Sequence, residues 1–407
     1  MSNFIHRPLR WSSHSRLALC FALFLLCTLA ACGGGGNNNK SPQGGAATAP
    51  VKATTSVQPT TTATPAGIQL GPQPCPPAVA QPSYWNPIIP TQPGINAVES
   101  VTCGYLMGQP ALQALVTVRS QGTGAMLDVH VYNHITNPAP DEIFKLDGLY
   151  KGSAKISYYN TVLTAQVDLN SSLNKGQSGA ALQPDLFREF KWSDGAGTLV
   201  PVSFPGIFPD LTRYQAENDQ QQVNQGQDGW KLDATKVASQ LTITLLQWPA
   251  TVTATLVSGG GQHDVDAVVN VKTPTTPAGM VQVTLSRLEG NTNGGIWIAT
   301  SVTSPALAIT TPSARNMLTS PVTVTGRGSA FEGVIGKVIV LDHLYNAVGQ
   351  AQAKGAIGNG TTTFSTTVSY TTSFKNGPQE GLLALYSYSN ANGLINGAII
   401  VKELLAA

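Results

Sequence analysis

Charge is what this chain has least of. Asp, Glu, Lys and Arg make up 11% of its 407 residues and leave a formal net charge of +2, whereas average soluble domains carry about 25% charged residues. A nucleic-acid binder needs a clustered basic field, and this chain has none. Long apolar runs are missing too. The one greasy stretch, Leu17 to Leu29, falls short of the ~20 residues that span a bilayer. Catalytic and nucleotide motifs are equally scarce. "GGGQHD" has neither the Walker lysine nor the dinucleotide spacing, and "KGQSGAA" around Ser178 lacks the G-x-S-x-G elbow of serine hydrolases. No cofactor is implied. What is present is Thr, Ser, Asn and Gln with 41 glycines and 27 prolines, a composition common in secreted β-rich proteins, in a chain long enough for two or three domains.

The N-terminus is organised for export. His6, Arg7, Arg10 and Arg16 form a positive region before the apolar stretch, and the small residues Ala30 and Ala31 precede Cys32, so residues 1–31 read as a signal peptide. Leu29-Ala30-Ala31-Cys32 resembles a bacterial lipobox. The resemblance implies that the Cys32 sulfur receives a diacylglyceryl group and that the signal is cut before it. It places the mature chain on the extracytoplasmic face of the bacterial cell membrane, lipid-anchored. One acyl chain binds a bilayer only marginally, whereas two or three hold firmly. The plainer alternative is an ordinary secretory signal with an incidental cysteine. Cys20 and Cys27 leave with the signal, so Cys75 and Cys103 remain as one possible pair. An oxidising exterior permits a disulfide between them, worth about 3–4 kcal/mol in the chain-entropy model. Two free thiols, an intermolecular bond or metal binding are the alternatives.

From residue 32 to 94 the Gly, Thr, Pro and Asn content leaves little to build a core, and a disordered N-terminal tether is expected. A flexible coil of about sixty residues spans roughly 40–45 Å root mean square. Near its end, "PSYWNPIIP" offers Tyr84, Trp85, Ile88 and Ile89 for docking on the first domain. Residues 95–208 alternate as strands and read as a β-rich module. Leu115 lies on one face with Val116 and Val118 on the other, and Asp194-Gly195-Ala196-Gly197 turns a hairpin.

Residues 209–304 read as an α+β middle module of helices followed by a β-meander. Asp210 and Asp233 are the expected N-caps, and Val237, Leu241, Leu245 and Trp248 have helical spacing. A last hairpin is expected to pair Val281, Val283 and Leu285 with Ile296 and Ile298. At fold level this module resembles the NTF2-like or cystatin-like cones, which host both enzymes and binding modules.

Residues 305–407 show short strands and turn signals near every tenth position, the pattern of a β-sandwich. Pro312 and Pro321 are expected at strand starts, Gly326 and Gly333 at turns between sheets, and Phe331 on an inner face. The segment "ITTP…SPVTVTG…AFEG", with Ile309, Pro312, Ser320, Pro321, Val324, Gly326, Phe331, Glu332 and Gly333, resembles the Gmad2 domain, as does the later "FSTTVSY". Gmad2 is the immunoglobulin-like domain of bacterial spore germination proteins. The resemblance covers about a quarter of the chain and implies a C-terminal immunoglobulin-like β-sandwich used for extracytoplasmic binding or assembly. It brings no catalytic residues. Where an Asp-Gly turn belongs in the last hairpin, this chain has Asn392-Gly393.

Candidate chemistry elsewhere has plainer readings. His130 and His134 sit four apart on a strand-like segment, which spreads them too far for one metal. His263, Asp264 and Asp266 read as a polar turn entering a strand, and Glu217/Asp219 and Asp141/Glu142 as solvated surface. The aromatics of "LYKGSAKISYY" suit sugar stacking or a sheet surface. The expectation is a mostly β, non-catalytic, lipid-anchored protein whose partners are the membrane and a cell-wall polymer or another protein. The rival is a hydrolase of wall or extracellular polymer. Its site would lie in the middle module, near Trp230, Trp248 and Trp297.

Overall fold

A computed structural model describes residues 69–407 except Gln109, residues 291–293 and Asn359. The signal segment, Cys32 and the linker to residue 68 lie outside the described residues. The protein is mostly β, in several sheets.

Strands β1 (Asn96–Gly104), β2 (Gln113–Ser120), β3 (Leu127–Asn133) and β4 (Asp141–Leu149) form one antiparallel sheet in sequence order. A second contains β5 (Ser153–Ile156), β6 (Val162–Gln166), β7 (Leu186–Ser193) and β8 (Thr198–Val202). Alternation decides which side chains meet. Leu115, Leu127, Val129 and Val131 pack with Ile156, Val162, Phe190 and Leu199 from the second sheet. Val116, Val118 and Tyr132 belong to a separate cluster with Val79, Trp85 and Ile89. That cluster corrects one expectation. The end of the linker, from Gln69 to Gly94, is packed structure containing a short helix, α1 (Pro82–Trp85). The reason is local: Trp85 is fully buried against Tyr132, donates its indole N–H to the Val79 carbonyl at 2.8 Å, and carries enough apolar area to hold the segment down. Cys75 and Cys103 are joined by a disulfide with Cα atoms 5.2 Å apart, fastening the same cover to β1.

Helix α2 (Arg213–Asn224) is capped by Thr212, whose hydroxyl accepts the Gln215 N–H at 3.2 Å. Asp210, the expected cap, lies too far upstream and is buried. Helix α3 (Ala234–Leu245) is capped by Asp233, which accepts the N–H groups of Thr235 and Lys236. Its buried face, Val237, Leu241 and Leu245, packs on the meander β9 (Ala254–Gly259), β10 (Asp266–Lys272), β11 (Met280–Ser286) and β12 (Ile298–Thr303). Val283 opposes Val302 and Leu285 opposes Ala299, while Ile296 precedes the strand.

The C-terminal strands are β13 (Leu307–Thr311), β14 (Met317–Leu318), β15 (Val322–Ala330), β16 (Val334–Leu341), β17 (Ala347–Lys354), β18 (Gly360–Val368), β19 (Gln379–Tyr388) and β20 (Ile395–Leu405). β13, β15 and β18 form a three-stranded sheet. Val324, Phe364 and Val368 from it share a core with Val338, Leu383, Leu385 and Ile399 from β16, β19 and β20, giving the immunoglobulin-like sandwich. The opposite face of the same strands, Leu382, Ala384 and Ile400, packs with Leu241 and Trp297 of the middle region. The sheet then continues, since Val302 of β12 pairs with Ile400 of β20. Residues 209–304 and 305–407 therefore share one sheet, in the order β17-β16-β19-β20-β12-β11-β10-β9 with β14 beside β20. The long apolar runs of β19 and β20 are buried on both faces for this reason.

Three motif residues sit differently from expectation. Gly326 is in the middle of β15, opposite Ile309 and Phe364, where a Cβ would come within 2.1 Å of the Ala308 carbonyl oxygen. Close strand approach, rather than a turn, requires the glycine there. Phe331 is 50% exposed, because the turn made by Glu332 (φ +50°) and Gly333 (φ +79°) carries it outward. Pro321 does precede β15, but Pro312 follows β13 instead of starting a strand.

Candidate functional site

The cleft with the richest chemistry lies between the first region and the start of the middle one. It has a volume of about 720 Å³ and is lined by Pro72, Lys155, Tyr158, Glu217, Gln220 and Glu289, among others. Tyr158 and Tyr159, 58% and 38% exposed, follow β5 in a turn. Glu217 and Gln220 come from α2, one turn apart on one face. Glu289 follows β11, and the Gln220 side chain accepts the Ile296 N–H at 2.9 Å to hold that loop against the helix.

Its electrostatics are those of a crowded acid cluster. Lys155 Nζ lies 2.8 Å from Glu217 Oε2, and the Tyr158 N–H donates to Glu217 Oε1 at 3.0 Å. Behind them Arg213 donates to Glu189 Oε1 at 2.8 Å and to Glu289 Oε1, and its guanidinium lies 4.4 Å from the Tyr159 ring centroid. One guanidinium thus faces two nearly buried carboxylates and cannot neutralise both. Burial works against the charge on Arg213, yet Glu189 and Glu289 outweigh it and hold the group above its ordinary range. Burial pushes the Glu289 carboxyl up to about 8 against the pull of Arg213, with Glu217 and Glu189 adding to the rise. A proton therefore resides on this cluster at neutral pH. Chemically the cleft offers one protonated acid, one ion-paired acid, a lysine and an exposed tyrosine edge.

The signals for this site were widely separated in the chain. Glu217, expected as solvated surface, has a side chain only 14% exposed because Lys155 and the Tyr158 turn cover it. Asp219 is likewise only 18% exposed and pairs with Lys231. Glu289, Glu189, Arg213 and Lys155 carried no motif at all. Of the tryptophans offered for a rival pocket, Trp248 and Trp297 are buried in the apolar interior, and Trp248 donates to the Ile395 carbonyl at 2.9 Å. Trp230 lines a separate hollow of about 320 Å³ with Thr235, Lys236 and Gln240.

The remaining candidates are scattered. His130 Nδ1 lies 2.6 Å from Glu142 Oε1, and His134 Nδ1 lies 2.6 Å from Asp141 Oδ2, as two separate pairs. Asp264 accepts the Gly261 N–H and Asp266 accepts the Ser286 hydroxyl, both within the turn and ladder around β10. Among the described residues no three His, Cys, Asp or Glu side chains gather as metal ligands would. None of their helices is long and apolar enough to cross a membrane.

Residues 306–394 match the family model of the immunoglobulin-like domain of bacterial spore germination, Gmad2. The match covers the strands from β13 to β19 and the turn before β20. It includes Pro312, Pro321, Gly326, Phe331, Glu332 and Gly333. No curated protein matches the chain.

Proposed function

We propose that this protein is a non-catalytic binding protein of the bacterial cell exterior, anchored by lipid on Cys32. It presents its immunoglobulin-like domain and the cleft beside α2 to a cell-wall polymer. The observation that carries this reading is the match of residues 306–394 to a domain family that brings no catalytic residues. The cleft supports it: exposed tyrosines beside hydrogen-bonding acids suit a polyhydroxyl chain, which stacks on rings and bonds along its edges. A link to spore germination follows from the family's name and belongs to the proposal.

Two experiments test it. Cells fed a clickable fatty acid should label the wild-type chain and leave Cys32→Ala unlabelled; equal labelling refutes the anchor. Isolated wall polymer should retain the protein, and Tyr158→Ala should reduce retention several-fold. Full passage of the wild type through the polymer would point to a protein partner instead. One observation favours the rival hydrolase reading, the elevated Glu289 carboxyl facing the same cleft as Glu217, which is paired with Lys155. Release of soluble fragments from wall polymer, abolished in Glu289→Gln and in Glu217→Gln, would establish it.

A further inference from the structure

Lysine and glutamate are almost never fully buried in a folded chain, yet Lys402 on β20 and Glu380 on β19 have side chains only 1% and 2% exposed. The two strands run antiparallel, with Glu380 opposite Leu404 and Lys402 opposite Leu382. Lys402 and Glu380 are therefore diagonal neighbours on one face of the sheet. Lys402 Nζ lies 3.3 Å from Glu380 Oε2. Glu403, next to Lys402 in the chain, points to the opposite face and accepts the Asn316 N–H at 2.9 Å, so it does not compete for the amine.

The carboxyl group is held from its other side by the segment that follows β8. The Phe204 N–H donates to Glu380 Oε1 at 3.1 Å, and the Ser203 hydroxyl donates to Oε2 at 3.2 Å. Arg315 fixes that segment, donating to the Ser203 carbonyl from Nε at 3.2 Å and from Nη2 at 3.0 Å. Lys402 also donates to the Leu211 carbonyl. Burial pushes the Lys402 amine down to about 8, and the nearby Arg315 adds to the fall. Burial also raises the Glu380 carboxyl, against the pull of Lys402. Both shifts run toward the uncharged pair, an amine and a carboxylic acid in contact.

We propose that Lys402 and Glu380 condense into an intramolecular amide that bolts β19 to β20. Lys402 Nζ attacks Glu380 Cδ, and the Nζ–Cδ bond forms. The Phe204 N–H faces Oε1, where negative charge develops in the tetrahedral intermediate. One proton passes from Nζ to the Oε2 hydroxyl, the Cδ–Oε2 bond breaks, and one water leaves. Nothing is oxidised or reduced, and no co-reactant is needed. Two features drive the step forward. Groups fixed in contact react at effective molarities of about 10⁵–10⁸ M, and the product replaces a buried ion pair, which is costly to desolvate, by a neutral amide.

Tryptic digestion of the reduced, denatured full chain tests the bond, because neither Lys nor Arg occurs between Lys375 and Lys402. An unlinked chain releases residues 376–402 and 403–407 as two peptides of full sequence mass. A linked chain resists cleavage after Lys402 and yields one peptide, 376–407, lighter by one water. The lighter peptide should account for most of the wild-type C-terminus, and its fragmentation should give no backbone breaks between residues 380 and 402. Lys402→Met removes the nucleophile, so its 376–407 peptide should return to full mass and fragment throughout. If Lys402→Met does not fold, the fragmentation of the wild-type peptide locates the link by itself. Release of 376–402 at full mass from the folded wild-type protein overturns the proposal. So does a loss of water that persists in Lys402→Met.

Discussion

Arg188 on β7 is buried and Arg213 beside that strand is largely covered, and the surroundings of the two guanidinium groups are opposites. Arg213 has more negative charge around it than it can neutralise, with Glu189 and Glu289 both in contact. Arg188 has a carbonyl at 3.4 Å and two rings, and pairs with no described carboxylate. The first arrangement raises the arginine and forces a proton onto a glutamate; the second lowers the arginine. The difference teaches that burial alone does not set the worth of a charge. What matters is whether opposite charge is buried beside it.

The sharpest way to break this comparison is to remove each arginine in turn. Arg213→Met leaves the nearly buried Glu189 and Glu289 without their shared cation and should lower stability by about 3–5 kcal/mol in urea unfolding. A loss below ~1 kcal/mol would show that solvent already neutralises the pair. Next in size is Cys103→Ser, which frees the cover carrying Pro72 on the wall of the large cleft. It should lower stability by about 3 kcal/mol and weaken wall retention.

The third contrast is in pH. The Glu289 carboxyl rises from its ordinary 4.5 to about 8 on folding, so between those values the folded chain keeps a proton that the unfolded chain has released. Stability contributed by that proton is present below the unfolded value and is lost as pH climbs toward 8, at a slope of at most about 1.4 kcal/mol per pH unit. Glu289→Gln should flatten the fall in melting temperature over this range. Part of the slope should remain, because burial also pushes Glu403 up to about 8. Arg188→Met removes a buried charge that has no described counter-ion and should move stability in the opposite direction from Arg213→Met, with a gain of about 1 kcal/mol. Smallest of all, Tyr158→Ala should change stability by under ~0.5 kcal/mol and report on binding alone.

How much of this was legible in the chain depends on the range of the interaction. Alternation in β2 and β3 assigned Leu115 and Val116 to opposite faces, and Asp233 with Val237, Leu241 and Leu245 marked α3, because both signals are local. Asp210 failed as a cap since the helix begins three residues later, directly after Thr212. Phe331 looked like core because it is aromatic, but the two positive-φ residues after it turn it outward. The acid cluster was invisible for a different reason. Glu189, Arg213 and Glu289 are dozens of residues apart, and only the packing of α2 on the second sheet brings them together.

A similar long-range dependence governs the middle of the molecule. Lys402 and Glu380 form a buried pair at 3.3 Å, with Lys402 donating to the Leu211 carbonyl and Glu380 accepting the Phe204 N–H and the Ser203 hydroxyl. Burial pushes Lys402 down to about 8 despite that partner. Leu382, Ala384 and Ile400 supply the apolar layer that faces α3. The meander and its helix therefore stay half-covered until β20 docks, and loss of that one strand would strip a wall from two neighbouring cores at once.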